Sequence, residues 1–182
     1  MSLFGSRAVK QVRRALAEAG SAAQVVKLPG WAGSAEEKAS ALGAPLGAIV
    51  QSLFFMVGER PALALVAGDR QCRAEALART LNLTGDVRPA EAAEVAGATG
   101  FAIGGVAPLT RAGSLPAALD VSLKRFATLY VPAGDPRHVF ATTADDLRRL
   151  TGGIVSYAIT EGDRYHPARP TQRPFDRVDG LL

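Results

Sequence analysis

The chain has 182 residues, of which 48% are hydrophobic and 21% are charged, a composition that suits one domain with a buried core. Its net charge of +4 permits an anionic partner such as nucleic acid without requiring one. No apolar run approaches the roughly 18–20 residues of a membrane span and the N-terminal residues lack a signal-peptide core, so we expect a cytoplasmic protein with no membrane contact. A single cysteine, Cys72, excludes an internal disulfide, and two histidines without zinc-type spacing indicate no metal and no other cofactor.

Hydrophobic spacing predicts short helices mixed with strands in the first part of the chain. In chain order these are a helix from Ser6 to Gly20, a strand over 24–28, a helix from Ser34 to Leu42, and paired strands over 48–57 and 62–67. Ser34 and Glu37 have the spacing of a capping box. The run 48–57 is apolar enough for a strand buried on both faces, although Gln51 and Ser52 interrupt it.

The same mixture of elements continues in the second part of the chain. In chain order we predict a helix over 73–81, a helix over 90–96 begun by Pro89, strands over 115–119, 128–131 and 138–141, a helix from Thr143 to Leu150, and a strand over 154–159. Helices and strands do not alternate regularly, which favours an α+β fold over a doubly wound sheet. Residues 161–182 are rich in Arg and Pro without an apolar period and are predicted to form a loosely ordered tail.

The segment 100–110 contains two adjacent glycines and a proline within residues that otherwise resemble a strand. Gly104 and Gly105 permit positive φ and let a ligand approach main-chain N–H groups, while Pro108 fixes the direction in which the chain leaves. Two interpretations remain open from the loop alone, a turn that needs glycine for its geometry or an element that binds a small group.

The order of these segments resembles a known family. The motifs are APLGAIVQSLFF at 44–55, IGGVAP at 103–108, LDVSL at 119–123, AG at 133–134 and DLRRLTG at 146–152. Together they are similar to the YbaK-type aminoacyl-tRNA deacylases, which are relatives of the editing domain of bacterial prolyl-tRNA synthetases. The resemblance leads us to assign residues 1–160 to an aminoacyl-tRNA editing domain and to leave 161–182 outside it.

The resemblance implies a fold, a reaction and a site. The fold is a single α+β domain with a mixed, barrel-like sheet surrounded by helices. The reaction is hydrolysis of the ester at the 3′ end of mischarged aminoacyl-tRNA by a free-standing, cofactor-free enzyme, with a tRNA synthetase as a further candidate partner. The implied catalytic residues are Gln51 and Gly104, the loop's main chain polarising the ester carbonyl. The implied substrate-binding residues are Ser52, Gly105, Val106, Ala107, Pro108 and Asp120.

Gln51 departs from the family, in which this strand usually carries a lysine. An ammonium group offers three donors and a charge, whereas the glutamine amide offers two donors, one acceptor and no charge. Two functions therefore stay open: a deacylase in which Gln51 donates where lysine normally does, and a module that binds an aminoacyl group, a nucleotide or a protein without hydrolysis. From the residues alone, Gln51 can be an ordinary strand residue and Asp120 the cap of a turn beginning at Val121.

No residue pattern predicts a protein nucleophile. The serines, His138 and Asp120 lack the spacing of a nucleophile elbow, which argues against a catalytic triad. Cys72 lies beside a predicted small helix and is interpreted as a packing residue. We therefore expect water or a substrate hydroxyl to attack the ester.

Overall fold

The computed structural model describes residues 3–109 and 115–161, with the side chains of residues 3–6 excepted. The elements are α1 (Leu3–Glu18), β1 (Val25–Lys27), α2 (Ala35–Leu42), β2 (Val50–Val57), β3 (Arg60–Ala67), β4 (Gln71–Cys72), α3 (Leu77–Thr80), β5 (Val87–Pro89), α4 (Ala92–Thr99), β6 (Ala117–Asp120), β7 (Leu129–Pro132), β8 (His138–Thr142), α5 (Ala144–Thr151), β9 (Ile154–Ser156) and β10 (Thr160–Glu161). Short 3-10 helices span Leu46–Ala48, Ala74–Ala76 and Val121–Arg125. The predicted tail, apart from Glu161, lies outside the described residues.

The strands form one mixed sheet and two smaller antiparallel sheets. The five-stranded sheet has the order β5-β2-β3-β6-β9, in which β3, β6 and β9 run parallel and the remaining pairs are antiparallel. The smaller sheets have the orders β1-β8-β7 and β10-β4. A parallel bridge between Ile49 and Tyr130 links the five-stranded sheet to the three-stranded one. The predicted α+β class is confirmed.

The hairpin of β2 and β3 forms the centre of the molecule because both of its faces are buried. Phe54 belongs to the larger hydrophobic cluster, together with Leu63 and Leu65 of β3. Its neighbour Phe55 belongs to a second cluster, with Ala64 on the same side of the sheet. Successive strand residues point to opposite faces, so an apolar run without polar alternation is what a doubly covered strand requires.

The helix caps read from the sequence are confirmed at two helices. In α2 the Ser34 side chain accepts from the Glu37 amide, the Glu37 carboxylate accepts from the Ser34 amide, and Gly43 ends the helix with φ of 60°. In α5 the side chain of Thr143 accepts from the Asp146 amide at 3.1 Å. Such caps satisfy N–H groups that have no partner inside the helix.

Three predicted boundaries are wrong. The helix α1 already includes Leu3, so Ser6 lies within it and is not its cap. Pro89 ends β5, where it pairs with Phe55, and Glu91 caps α4. Because β5 is an edge strand of its sheet, the missing N–H of proline interrupts no ladder there. The last predicted strand stops at Ser156.

None of the helices within the described ranges combines the length and the apolar character that crossing a membrane requires.

Candidate functional site

A cavity of about 590 Å³ lies between β2, the start of α2 and the loop that follows α4. Residues 49–55 form one wall, residues 33–36 and Lys38 form another, and Ile103, Gly104 and Val106 form a third. Gln51, Ser52 and Leu53 are half-buried, whereas Val50 and Phe54 on either side of them are buried. Gln51 and Ser52 are the polar residues of the wall that β2 forms.

The structure separates the predicted site residues into two groups. Gln51, Ser52, Gly104 and Val106 line the cavity, whereas Gly105, Ala107, Pro108 and Asp120 do not. Gln51 and the glycine loop thus share one cleft, although they are far apart in the sequence.

The glycine loop contains a tight turn whose tip is Gly104. The amide of Gly105 donates to the carbonyl of Ala102 at 3.1 Å, which closes a four-residue turn. Gly104 occupies the third position of this turn with φ of +87°, a value typical of the glycine in a type II turn. The turn that the sequence predicted is therefore also part of the cavity wall.

Gly105 is required for a different reason, which is close packing. A Cβ atom at this position would lie 2.8 Å from the Cα of Asp135 and 2.8 Å from the carbonyl oxygen of Gly134. Gly134 in turn has φ of +100° and lies against the backbone of Ala8 in α1. The loop is therefore held against main-chain atoms that a larger residue would displace.

Buried residues on both sides hold the turn in place. Phe101 precedes it and is 1% exposed, and Ala107, which follows, is fully buried. The amide of Gly105 is used inside the turn, whereas within the described residues the amides of Gly104 and Val106 donate to no protein group. Gly104 and Val106 therefore each bring to the cavity wall a main-chain N–H group that has no protein acceptor among the described residues.

The side chain of Gln51 is oriented by two main-chain carbonyls. Its Nε2 donates to Gly68 O at 3.2 Å and to Ala67 O at 3.4 Å. Because two carbonyl oxygens can only face the NH₂ end of an amide, the Oε1 atom is the end left without a partner among the described residues. In this conformation Gln51 offers an acceptor to its surroundings, not the donor expected from the resemblance.

Ser52 contributes a second polar atom without a partner. Its Oγ is buried and forms no hydrogen bond within the part of the chain that is described. Buried hydroxyls are nearly always hydrogen-bonded in folded proteins, so an orphaned one at a cavity wall indicates a group that a ligand or water satisfies.

Asp120 has a structural role at the end of β6. It is 2% exposed. Its carboxylate accepts hydrogen bonds from the amide and hydroxyl of Ser122 and, at 2.9 Å, from the hydroxyl of Thr160. This confirms the predicted cap of the turn at Val121, and it places Asp120 away from the cavity.

His138 instead contacts Asp135 at 2.7 Å, so Ser122 and His138 do not form a relay.

Lys38 lines the cavity, and the sequence analysis did not select it. Lys38 is 4% exposed, and Glu36 is the other charged residue in the wall. A signal was present, because Ala35, Lys38, Ala39 and Leu42 follow the spacing of one helix face, which places the lysine among apolar residues.

A second, more polar cavity of about 500 Å³ adjoins the first. It shares Glu36, Gln51 and Leu53 with the first cavity and includes Asp69 and Cys72. The carboxylate of Asp69 accepts two hydrogen bonds from Arg125, at 2.6 and 2.9 Å, and these bonds hold the pKa of Asp69 below its usual value. Asp69 is thus committed to an ion pair and is not a free base.

Cys72 is expected to be a poor nucleophile. Burial raises the pKa of its thiol to about 11, and the charges of Glu75 and Asp120 add to the shift. At pH 8 only about one thiol in a thousand is then ionised, so alkylation by iodoacetamide is expected to be roughly a hundredfold slower than that of an ordinary cysteine. The rate should rise about tenfold per pH unit towards pH 11, whereas a plateau near pH 9 would contradict the raised pKa. The urea-unfolded chain serves as the control.

Residues 29–150 match the family model of the aminoacyl-tRNA editing domain. The chain belongs to this family. The match includes the start of α2, β2 and the glycine loop, so all three walls of the cavity lie within the editing domain, and the resemblance to the YbaK type is confirmed.

Three individual proteins are similar to this chain to different degrees. A crystal structure of a protein proposed to be a trans-editing enzyme for prolyl tRNA synthetase is 36% identical, with a TM-score of 0.79 over 89% of this chain and 99% of that one. The uncharacterized protein YwhH of Bacillus subtilis (strain 168) is 32% identical over 117 residues, which are 64% of this chain and 73% of YwhH. A hypothetical protein that is 22% identical shares the fold, with a TM-score of 0.71 over 83% of this chain and 99% of its own.

Proposed function

We propose that this editing domain is a free-standing deacylase that hydrolyses the ester of mischarged aminoacyl-tRNA. The observation that carries the proposal is one cavity lined by Gln51, Ser52 and the Gly104 turn, in which both side chains carry a polar atom without a partner among the described residues. The structural relative proposed to act in trans for prolyl tRNA synthetase supports the same reaction class.

The cavity suits an amino acid joined to a ribose. Its volume of about 590 Å³ falls within the range typical of small-molecule sites. Much of its wall is apolar, with Phe54, Val95 and Pro132 among the lining residues. A few polar groups in an otherwise apolar pocket can orient an ester without holding it so tightly that the products stay bound.

The Gly104 turn is assigned to the ester carbonyl. The N–H groups of Gly104 and Val106 would donate to the carbonyl oxygen, and these bonds strengthen as negative charge develops on that oxygen in the transition state. Because the turn is fixed by the Gly105 to Ala102 hydrogen bond, the donors need little rearrangement at the moment of reaction.

Gln51 is assigned to the attacking water. Its Oε1 would accept a hydrogen bond from this water and position it, while Ser52 Oγ satisfies a second polar group of the substrate. Water adds to the ester carbon, the bond from that carbon to the ribose oxygen breaks, and the ribose oxygen receives the proton that the water loses. The products are the free amino acid and tRNA with an intact terminal hydroxyl.

A binding module without hydrolysis is the second candidate. One observation favours it: Gln51 directs its Nε2 to main-chain carbonyls, and as an uncharged amide it supplies neither a charge nor a base to activate water. Such a module would hold the same aminoacyl end of tRNA and release it unchanged.

A deacylation assay over a panel of mischarged tRNAs tests the proposal. The protein should release at least one amino acid above the uncatalysed rate, and Gly104→Ala should lower kcat roughly tenfold or more because a Cβ at φ of +87° strains the turn that holds the donors. Gly20→Ala is the matched control, since Gly20 has φ of +63° and open space around it at the end of α1, outside the cavity wall.

The two variants should lose similar amounts of stability, roughly 1–2 kcal/mol, and only Gly104→Ala should lose activity. If the parent protein releases no amino acid from any tRNA in the panel, the deacylase assignment is wrong and the binding module remains.

A further inference from the structure

Lys38 is a buried cation that the proposed chemistry leaves unused. It is 4% exposed, lies on α2 and forms part of the cavity wall. Its α2 neighbour Ala39 is also buried, and lysine is among the residues least often found buried unless its charge has a partner. The charge of Lys38 is therefore not stabilised mainly by solvent, and an interaction with another group must explain its position.

The ammonium group of Lys38 has more N–H donors than it has acceptors among the described residues. Nζ donates one hydrogen bond, to the carbonyl of Ala32 at 2.7 Å. An ammonium has three N–H donors, and across residues 3–109 and 115–161 the other two meet no acceptor and no carboxylate pairs with Lys38. The adjacent Glu37 carboxylate is occupied by the amides of Gly33 and Ser34, at 2.6 and 3.1 Å.

The two N–H donors without a protein acceptor make the positive charge of Lys38 unfavourable in the free protein. Burial lowers the pKa of Lys38, and the charge of Glu37 opposes this shift without cancelling it. A buried ion without a counter-ion is destabilised. An anion that enters the cavity would supply the counter-ion that the ammonium of Lys38 lacks. Glu36 is the other charged lining residue, and its carboxylate is exposed at the wall.

We propose that Lys38 binds the phosphate that links the terminal adenosine of tRNA to the nucleotide before it. This inference rests on the proposed function. The ester, the ribose and the adenine carry no negative charge and the α-amino group of the amino acid is cationic, so this phosphodiester is the permanent anion nearest to the ester. In this assignment the neutral N–H groups of the Gly104 turn bind the neutral ester, and the ammonium of Lys38 binds the charged phosphodiester.

Two non-hydrolysable probes test the assignment in the full-length protein. The first is 3′-alanylamino-3′-deoxyadenosine 5′-monophosphate, in which an amide replaces the ester, and the second is the same compound without the phosphate. Alanine is used because its small side chain fits a pocket of any specificity. Isothermal titration calorimetry should show that the phosphorylated probe binds at least about tenfold more tightly, the size expected of a charge-assisted hydrogen bond.

Substitution of Lys38 should abolish this preference and leave binding of the unphosphorylated probe unchanged. Lys38→Met has a similar length, and Lys38→Gln is a second variant with a polar but uncharged side chain, so it decides the question if the first variant unfolds. Lys10→Met is the matched control, because Lys10 is exposed on α1 and its loss removes the same charge from outside the cavity.

Each other outcome overturns the proposal in a recognisable way. If the parent binds both probes equally, or if both Lys38 variants keep the preference, Lys38 does not bind the phosphate. If Lys38→Met lowers kcat for aminoacyl-tRNA while the preference persists, the ammonium acts on the ester. If neither probe binds the parent, the proposed function fails together with this inference.

Discussion

Gly105→Ala is expected to lower the free energy of unfolding by about 2 kcal/mol and to reduce deacylation by tenfold or more. The added Cβ would lie 2.8 Å from main-chain atoms of both Gly134 and Asp135, and backbone atoms cannot move aside as a flexible side chain can. Overpacking of this kind typically costs roughly 1–3 kcal/mol. Displacement of the loop would also shift the amides of Gly104 and Val106. Urea-induced unfolding and kcat/KM measure the two effects.

Gly97→Ala is the matched control for that substitution. Gly97 lies within α4, and a Cβ there would have nothing within 4 Å. Because alanine favours a helix interior over glycine, this variant should gain stability, by up to about 1 kcal/mol, with unchanged activity. Equal behaviour of the two variants would show that close packing of Gly105 on the 134–135 backbone does not hold the loop.

Substitutions of Gln51 are expected to distinguish two roles for this position: positioning the attacking water through Oε1, or requiring the positive charge that lysine would provide. Gln51→Leu removes the acceptor Oε1 and should lower kcat roughly tenfold to a hundredfold with little change in KM, since the interaction is made with the water and not with the bound ester. Gln51→Lys can still donate to the carbonyls of Ala67 and Gly68 but cannot accept from water, so it should lose activity as well. Single-turnover deacylation measures both rates.

The direction of the Gln51→Lys effect decides between the candidate functions. Release by Gln51→Lys but not by the parent protein would show that the charge is essential and that the native chain is a binding module. Equal rates in the two proteins would show that the acceptor Oε1 of Gln51 is not needed for the reaction. Gln24→Leu is the control, because Gln24 is an exposed glutamine outside the cavity and its replacement should change neither rate.

Local signals predicted the helix ends and the central hairpin. The capping box of Ser34 and Glu37 depends on atoms within one helical turn, so residue type and spacing suffice to identify it. The hairpin of 48–57 and 62–67 follows from two apolar runs separated by a short polar connection, and the structure pairs Val57 with Arg60 across the turn.

Signals that depend on distant neighbours were harder to interpret. Pro89 suits the first turn of a helix and an edge strand equally well, and only its pairing with Phe55 selects the strand. Ser6 is a common cap residue, but the helix continues to Leu3, so residue type alone did not locate its start. The strand pairing decided the role of Pro89, and the continuation of the helix to Leu3 decided the role of Ser6. Neither is contained in the residue type at the position itself.

The sequence by itself determined the family and the two segments that meet at the site. The polar interruption at Gln51 and Ser52 and the pairing of Gly104 with Pro108 are visible without coordinates, because residue types at fixed spacing carry them. The family resemblance that these residues carry implied one site containing Gln51 and Gly104.

Only the tertiary structure decided which atoms reach that cleft. Gln51 turns its donors to the carbonyl of Gly68, a residue 17 positions away in sequence, and Gly105 is needed against the Gly134 backbone. Lys38 enters the wall because the start of α2 and β2 border the same cavity. Hydrogen-bond partners and close contacts between segments depend on how those segments pack, and neither spacing nor composition of one segment contains that information.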